Sequence, residues 1–231
     1  GLIGLATGTT SKEYKIEDPG WYKLPQNERL YRDWNWKKSG IGGHGLVDIE
    51  KAIYRSCNIY FYELAVKLGI DRIHDGLTLF GFGQNTAIDL PEARNGLLPS
   101  RAWKLGSRGE SWYPGDTVNI GIGQGDILVT PLQLATAVAV LANRGGAVTP
   151  HMLKQNPLVT RDNQLPDIDL IPEQAWEVVI NSMEKVVHRG NQGFGENGTA
   201  WAYIGRDIEY RMAGKSGTAQ VVGIAQGELY D

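Results

Sequence analysis

The stretch Asp48-Ile49-Glu50-Lys51-Ala52-Ile53-Tyr54-Arg55-Ser56-Cys57-Asn58-Ile59-Tyr60-Phe61-Tyr62-Glu63-Leu64-Ala65-Val66-Lys67-Leu68-Gly69 decides how this chain folds. Asp48 is a suitable N-cap, and Ile49, Ala52 and Ile53 fall on one helical face. The pattern resumes through Tyr60, Leu64, Ala65 and Leu68, and Gly69 supplies a stop. Between the halves lies Ser56-Cys57-Asn58. Residues two apart on a helix do not share a face, so Ser56 and Asn58 act together only if the helix breaks there. Asn58, a good N-cap, permits that break. Taken alone, the tripeptide reads as a simple cap.

Downstream, a short helix is predicted over Ile70–Leu79, then a glycine-rich loop and the Asp89-Leu90-Pro91 turn. Thr130 and Pro131 form a helix start, with proline at the first helical position. Leu132 to Ala142 is apolar on nearly every side, which predicts a buried helix. Residues 147–171 read as short strands and turns. Pro172 opens another helix, striped by Ala175, Trp176, Val179, Met183, Val186 and Val187 and ending at Gly190. Thr199–Ile204 and Tyr210–Ile224 carry β-branched and aromatic residues around glycines, which predicts antiparallel strands. Upstream, residues 1–47 read as an irregular segment rich in aromatics and glycine. No internal boundary stands out, so the expectation is one α+β domain over 1–231: the irregular segment 1–47, a mainly helical part 48–190, and strands over 191–231.

Composition narrows the function classes. The 231 residues carry 23 basic and 26 acidic side chains, a net charge of −3, which gives no electrostatic case for gripping nucleic acid or an anionic membrane. No apolar run approaches the ~18 residues of a membrane helix, and the N-terminus lacks the layout of a signal peptide. A chain this long buries roughly 70% of its unfolded surface, so it needs no disulfide, and its single cysteine, Cys57, could not supply one. Thirty glycines are well above the usual ~7%. They follow no fixed period, and serve turns and close backbone approaches.

Three motif matches fail on context. Gly193-Phe194-Gly195-Glu196-Asn197-Gly198 fits the dinucleotide pattern GxGxxG, but a helix precedes it and a strand is predicted to follow, the reverse of what pyrophosphate binding requires. Gly214-Lys215-Ser216 imitates a P-loop ending, yet Glu209 stands where the loop needs glycine. Ser182-Met183-Glu184-Lys185 fits Ser-x-x-Lys, but Ser182 lies on the shoulder of an apolar stripe and Lys185 on the solvated face.

Two motifs remain. Ser56-Cys57-Asn58 is one; Lys215-Ser216-Gly217-Thr218 is the other. On an edge strand, a cation, two hydroxyls and a position without a side chain suit an extended peptide held by its terminal carboxylate. In this order and separation, Ser-x-Asn followed by Lys-Ser-Gly resembles the second and third signatures of the penicillin-binding proteins and serine β-lactamases. Asp18-Pro19-Gly20-Trp21, Tyr31-Arg32-Asp33-Trp34, Gly43-His44-Gly45, Gly121-Ile122-Gly123-Gln124-Gly125, Thr130-Pro131-Leu132-Gln133 and Lys215 to Gln220 narrow the resemblance to class B, elongation-specific transpeptidases, the penicillin-binding protein 2 group.

That resemblance implies a penicillin-binding-protein/β-lactamase-like domain, an antiparallel sheet packed with helices, incomplete at both ends. It implies D,D-transpeptidation of peptidoglycan stem peptides through an acyl-enzyme, with β-lactams as inhibitors, in a periplasmic domain of an inner-membrane-anchored protein. Partners would be membrane proteins of the elongation machinery, and no nucleic acid. The family nucleophile, a Ser-x-x-Lys upstream of Ser-x-Asn, has no match between Gly1 and Arg55, so this chain by itself is expected not to be acylated by penicillin. By the same resemblance, Ser56 relays a proton, Asn58 orients substrate and Lys215 contributes positive charge. Ser216 and Thr218 bind the substrate carboxylate, Gly217 leaves room for its backbone, and the Thr218 N–H forms half of the oxyanion hole. The rival enzyme reading is a serine β-lactamase; the reading from another class is a non-catalytic β-lactam sensor or scaffold.

The chemistry itself needs no cofactor. Cys57, His44, Asp33 and Asp18 nevertheless make a closed four-ligand set acceptable to zinc, and similar transpeptidases sharing these positions would carry such a structural ion. Read blandly, Asp18 caps a turn, Asp33 pairs with Arg32 or a lysine, and Cys57 is an inert buried thiol.

Overall fold

The computed structural model describes residues 1–37, 42–87, 89–154, 165–193 and 195–219. Helix α1 (Leu2–Ala6) leads into four short strands, β1 (Lys15–Asp18), β2 (Trp21–Lys23), β3 (Leu30–Arg32) and β4 (Gly45–Asp48). Helices follow: α2 (Ile49–Arg55), α3 (Asn58–Leu68), α4 (Ile70–Thr78), α5 (Arg101–Arg108), α6 (Pro114–Gly121), α7 (Pro131–Ala142) and α8 (Glu173–His188). The strands form two antiparallel pairs, β1 with β4 in register Lys15↔Asp48 to Asp18↔Gly45, and β2 with β3 in register Trp21↔Arg32 to Lys23↔Leu30. The described residues of 1–47 are therefore more regular than the irregular segment expected from their composition. Their strands are three or four residues long, too short to show a clear alternation.

The core forms around α3, whose Ile59, Tyr60, Tyr62, Leu64, Ala65 and Leu68 are buried. Gly121 brings α6 close to it, since a Cβ there would lie 2.6 Å from Ala65 Cβ. The buried face of α2 packs on α8, whose Ala175, Trp176, Val179, Val186 and Val187 are buried as the stripe predicts. At α7 the start is as expected: Thr130 and Gln133 exchange capping-box hydrogen bonds. Its predicted all-round burial is not found. Leu134 and Val138 are about half exposed, at 52% and 48%, while Gln133 and Thr136 are buried. Gln133 is inside because its amide donates to the carbonyls of Gln84 (2.8 Å) and Asn95 (2.7 Å) and its oxygen accepts from Thr130 N–H. An apolar composition sets no direction; the satisfied amide does.

The predicted strands after α8 are also absent among the described residues. Trp201–Gly205 is a π-helical turn, and Tyr210–Ala219 is irregular; the rest of that predicted strand lies outside the described residues. No strand occurs in the described parts of 147–171 either. A strand needs a neighbouring edge to answer its backbone groups. Here Met212 N–H donates to His188 Nε2 (2.9 Å) and Gly214 N–H to the Met183 carbonyl (3.1 Å), so the segment is tied to α8.

Candidate functional site

Asp48 caps α2, accepting from Lys51 N–H at 2.8 Å. The helix ends at Ser56, which takes the left-handed conformation, φ 56° and ψ 40°. Cys57 N–H returns to the Ala52 carbonyl (2.9 Å) and Ser56 N–H to that of Ile53 (3.3 Å). The break expected within Ser56-Cys57-Asn58 is present, with one change: Cys57 is the N-cap of α3 and Asn58 its first residue. The thiol makes no capping bond because it is engaged elsewhere. A non-glycine residue at positive φ costs of order 1 kcal/mol, and this one projects its hydroxyl out of the helix junction.

Lys215 meets it. The ammonium donates to Ser56 Oγ at 2.5 Å, to the Ser216 carbonyl at 2.8 Å and to Ser216 Oγ at 3.3 Å. Ser216 Oγ lies 3.1 Å from Ser56 Oγ and 3.2 Å from Thr199 Oγ1. No carboxylate pairs with Lys215 among the described residues. Much of its side chain faces solvent, yet protein crowds the ammonium end, and this desolvation lowers its pKa to about 8. Asn58 is half-buried at the start of α3, and its amide makes no hydrogen bond to a described residue. Gly217 and Thr218 are exposed, and a Cβ on Gly217 would touch nothing within 4 Å. Thus Ser56, Lys215 and Ser216 converge directly, while the space beside Gly217 is open.

Thr199 was not distinguished by sequence, which placed it in a strand. Its N–H donates to the Tyr54 carbonyl at 3.1 Å, two residues before Ser56. Gly198 makes this possible: a Cβ there would lie 2.1 Å from the Lys185 carbonyl and 2.3 Å from that of Val186. Glu196, from the same turn, accepts from Lys51 Nζ (2.7 Å) and Tyr54 OH (3.3 Å). The GxGxxG resemblance is thereby given a packing role. The Ser-x-x-Lys decoy is also explained: Ser182 is fully buried and donates to the Val178 carbonyl at 2.6 Å, and Lys185 pairs with Glu50 on α2.

Behind Ser56, the four acidic, imidazole and thiol residues come together. One ligand atom from each of Asp18, Asp33, His44 and Cys57 lies within 4.8 Å of the others. His44 Nδ1 is 2.7 Å from Asp18 Oδ2 and 3.2 Å from Asp33 Oδ2, and Cys57 Sγ is 3.2 Å from Asp18 Oδ2. The strand register places Asp18 beside the Gly43–Gly45 turn. Gly43, at φ 85°, has no alternative, since a Cβ would lie 2.2 Å from the Asp18 carbonyl. Burial pushes the Cys57 thiol up, helped by the charges of Asp18 and Asp33. It also raises Asp33, whereas at Asp18 the hydrogen bonds from His44, Gly20 N–H and Cys57 outweigh burial and hold the carboxyl low. The same carboxylates outweigh burial at His44 and raise it. Asp33 Oδ2 is buried without a hydrogen bond. An orphaned carboxylate oxygen, beside a thiol and an imidazole, fits a divalent soft-to-borderline metal. Asn35 was missed: its amide bonds Gly43 N–H and carbonyl, each at 2.9 Å, and reaches His44 Nε2 at 3.3 Å.

A hydroxyl at a helix break, faced by a lysine with no carboxylate partner among the described residues, brings the Ser-x-Asn and Lys-Ser-Gly motifs together as the resemblance to penicillin-recognising proteins implies. The family model described as the penicillin binding protein transpeptidase domain matches residues 2–231, and the chain belongs to that family. Within it, the chain is 39% identical, over 99% of its length, to peptidoglycan D,D-transpeptidase MrdA of Acinetobacter baumannii, of which it covers 32%. Penicillin-binding protein 2 of Pseudomonas aeruginosa, solved in complex with WCK 5153, matches with a TM-score of 0.85 and 45% identity, over 95% of this chain and 48% of that one. Penicillin-binding protein 2 of Helicobacter pylori, in complex with MreC, matches with a TM-score of 0.76 and 30% identity, over 95% and 38%. The chain thus spans about a third of the length of the curated relative. The fold is the transpeptidase-like one, with small antiparallel sheets packed against helices.

Proposed function

We propose that the protein carrying this chain is a peptidoglycan D,D-transpeptidase of cell elongation. The observation that supports this best is the Lys215 ammonium, bonded to Ser56 and Ser216 and paired with no carboxylate among the described residues. A cation so placed is ready for the terminal carboxylate of a D-Ala-D-Ala stem peptide or the matching anion of a β-lactam. The nucleophilic serine is supplied by sequence upstream of Ser56 that this chain does not contain between Gly1 and Arg55. That serine attacks the penultimate D-alanine carbonyl, the terminal D-alanine leaves, and an amine of a neighbouring stem takes the acyl group. Ser56 passes a proton between the base and the departing amine, Asn58 orients the substrate amide, and Ser216 and Thr218 bind its carboxylate beside Gly217. The Thr218 N–H completes the oxyanion hole.

The test is a fluorescent penicillin. The full-length protein is expected to form a stoichiometric covalent adduct and residues 1–231 alone none. An adduct on the isolated chain would overturn the assignment of the nucleophile. Slow release of the adduct distinguishes this reading from the β-lactamase alternative, which hydrolyses it.

Lys215 also sets a pH dependence. Because desolvation holds its pKa near 8, the cation is present below that pH and lost as pH rises through it. Acylation by carboxylate-bearing penicillins is therefore expected to weaken from about pH 8 upward in a pH–rate profile, and Lys215→Arg to move that decline to higher pH. A profile flat to pH 10 would remove Lys215 from carboxylate binding.

A structural zinc on Asp18, Asp33, His44 and Cys57 belongs to the same proposal. It would hold the 1–47 segment in place and takes no part in acyl transfer. The Helicobacter pylori relative was solved with MreC, which supports an elongation-machinery partner here. No helix among the described residues is long and apolar enough to cross a membrane; the periplasmic, membrane-anchored setting is carried over from the family.

A further inference from the structure

We propose that Thr199 is a positioning residue, the end of a hydroxyl chain that allows Ser56 both to accept and to donate a proton. The inference rests on the acyl-transfer reading above. The chain runs Lys215 Nζ, Ser56 Oγ, Ser216 Oγ, Thr199 Oγ1, with successive separations of 2.5, 3.1 and 3.2 Å. Lys215 also donates to Ser216 Oγ at 3.3 Å.

A hydroxyl has one hydrogen and two lone pairs. At Ser216 the ammonium takes one lone pair, which leaves one hydrogen and one lone pair for two neighbours, Ser56 and Thr199. Its bonds to them must therefore point the same way along the chain. When Ser56 donates to Ser216, Ser216 donates to Thr199, which must accept. When Ser56 turns its hydrogen toward a reacting group, Ser216 donates to Ser56 and takes a hydrogen from Thr199, which must donate. A proton relay needs both arrangements, one before and one after transfer.

Thr199 Oγ1 serves both, because it makes no other hydrogen bond to a described residue. Its backbone is fixed independently, by the bond from its N–H to Tyr54 and by Gly198 packed under the α8 carbonyls. The hydroxyl is thus held at hydrogen-bond distance while remaining free to rotate. A side chain without it would strand Ser216 in one of the two arrangements.

The test compares Thr199→Val and Thr199→Ser in the full-length protein, by second-order acylation with a fluorescent penicillin and by thermal unfolding. Thr199→Val is expected to slow acylation about tenfold, the scale of one hydrogen bond, with its unfolding midpoint unchanged. Thr199→Ser is expected to restore the rate. If valine lowers the midpoint, Thr199→Ala, which keeps the bond to Tyr54, carries the same expectation. Hydroxyl-free variants acylating at the original rate would overturn the proposal. So would an equal loss in Thr199→Ser, which would mark a role for shape alone. No adduct in the unsubstituted protein overturns the acyl-transfer reading and this inference with it.

Discussion

Replacing Ser56 with glycine is expected to lower acylation of the full-length protein by penicillin about 10²–10⁴-fold, the usual contribution of a positioned proton-transfer group, without lowering its stability. The two halves of that result have separate causes. The hydroxyl accepts from Lys215 and lies beside Ser216, so its removal takes away the group through which the proposed relay passes its proton. The backbone at Ser56 is left-handed, with φ 56°, a conformation glycine adopts without steric cost. Ser56→Ala loses the same chemistry but keeps the strain of a Cβ at positive φ. The pair therefore distinguishes catalysis from folding: both variants should acylate equally slowly, and glycine should melt no lower than alanine. Ser56→Gly acylating within a few-fold of the original would remove Ser56 from the relay. A glycine variant less stable than the alanine one would refute the strained geometry.

The second large effect is on stability. Protein purified without chelator is expected to contain one zinc per chain, and stripping it should lower the melting temperature by about 8–16 °C. That range follows from ~4 kcal/mol for a ligand at a thousand times its dissociation constant and roughly 2–4 °C per kcal/mol for a chain of this size. The donor set is complete, with two carboxylates, an imidazole and a thiol within 4.8 Å, and the buried Asp33 Oδ2 makes no hydrogen bond to a described residue, with the His44 ring close by at 3.2 Å. Cys57→Ala should lower the melting temperature of the zinc-loaded sample toward that of the stripped one and become insensitive to chelator. Elemental analysis without zinc, or a chelator-insensitive melting curve in the unsubstituted protein, would reject the ion.

Sequence made the centre of this site legible and its supports much less so. Ser56 and Lys215 are 159 residues apart, yet the helix break was readable because residues two apart cannot share a helical face, and it is there. The four metal-type residues were readable from side-chain chemistry, since a thiol, an imidazole and two carboxylates are few enough to notice. Asn35 was not, because an amide that bonds backbone carries no signal until the turn is closed. The strands predicted after α8 failed because β propensity reports a fit to a half-buried sheet surface, and the segment from Tyr210 to Ala219 bonds to α8 instead. For α7, hydrophobic content was mistaken for burial. Thr199 looked like one more β-branched residue; only the glycine before it, and the folded turn around that glycine, give it a purpose.

Trp34 links the two halves of the molecule's chemistry. It follows Asp33 directly, takes a 2.6 Å bond from its own N–H to the Asp33 carboxylate, and donates its indole N–H to the Arg55 carbonyl at 3.1 Å. Ser56 is therefore flanked by one neighbour tied to this tryptophan and another, Cys57, inside the quartet. The reactive junction is braced from behind, like a keystone between two fixed piers. In the proposed acyl-transfer role, a ligand pressing on Ser56 would meet a junction tied on both sides, at the Arg55 carbonyl and at the Cys57 thiol.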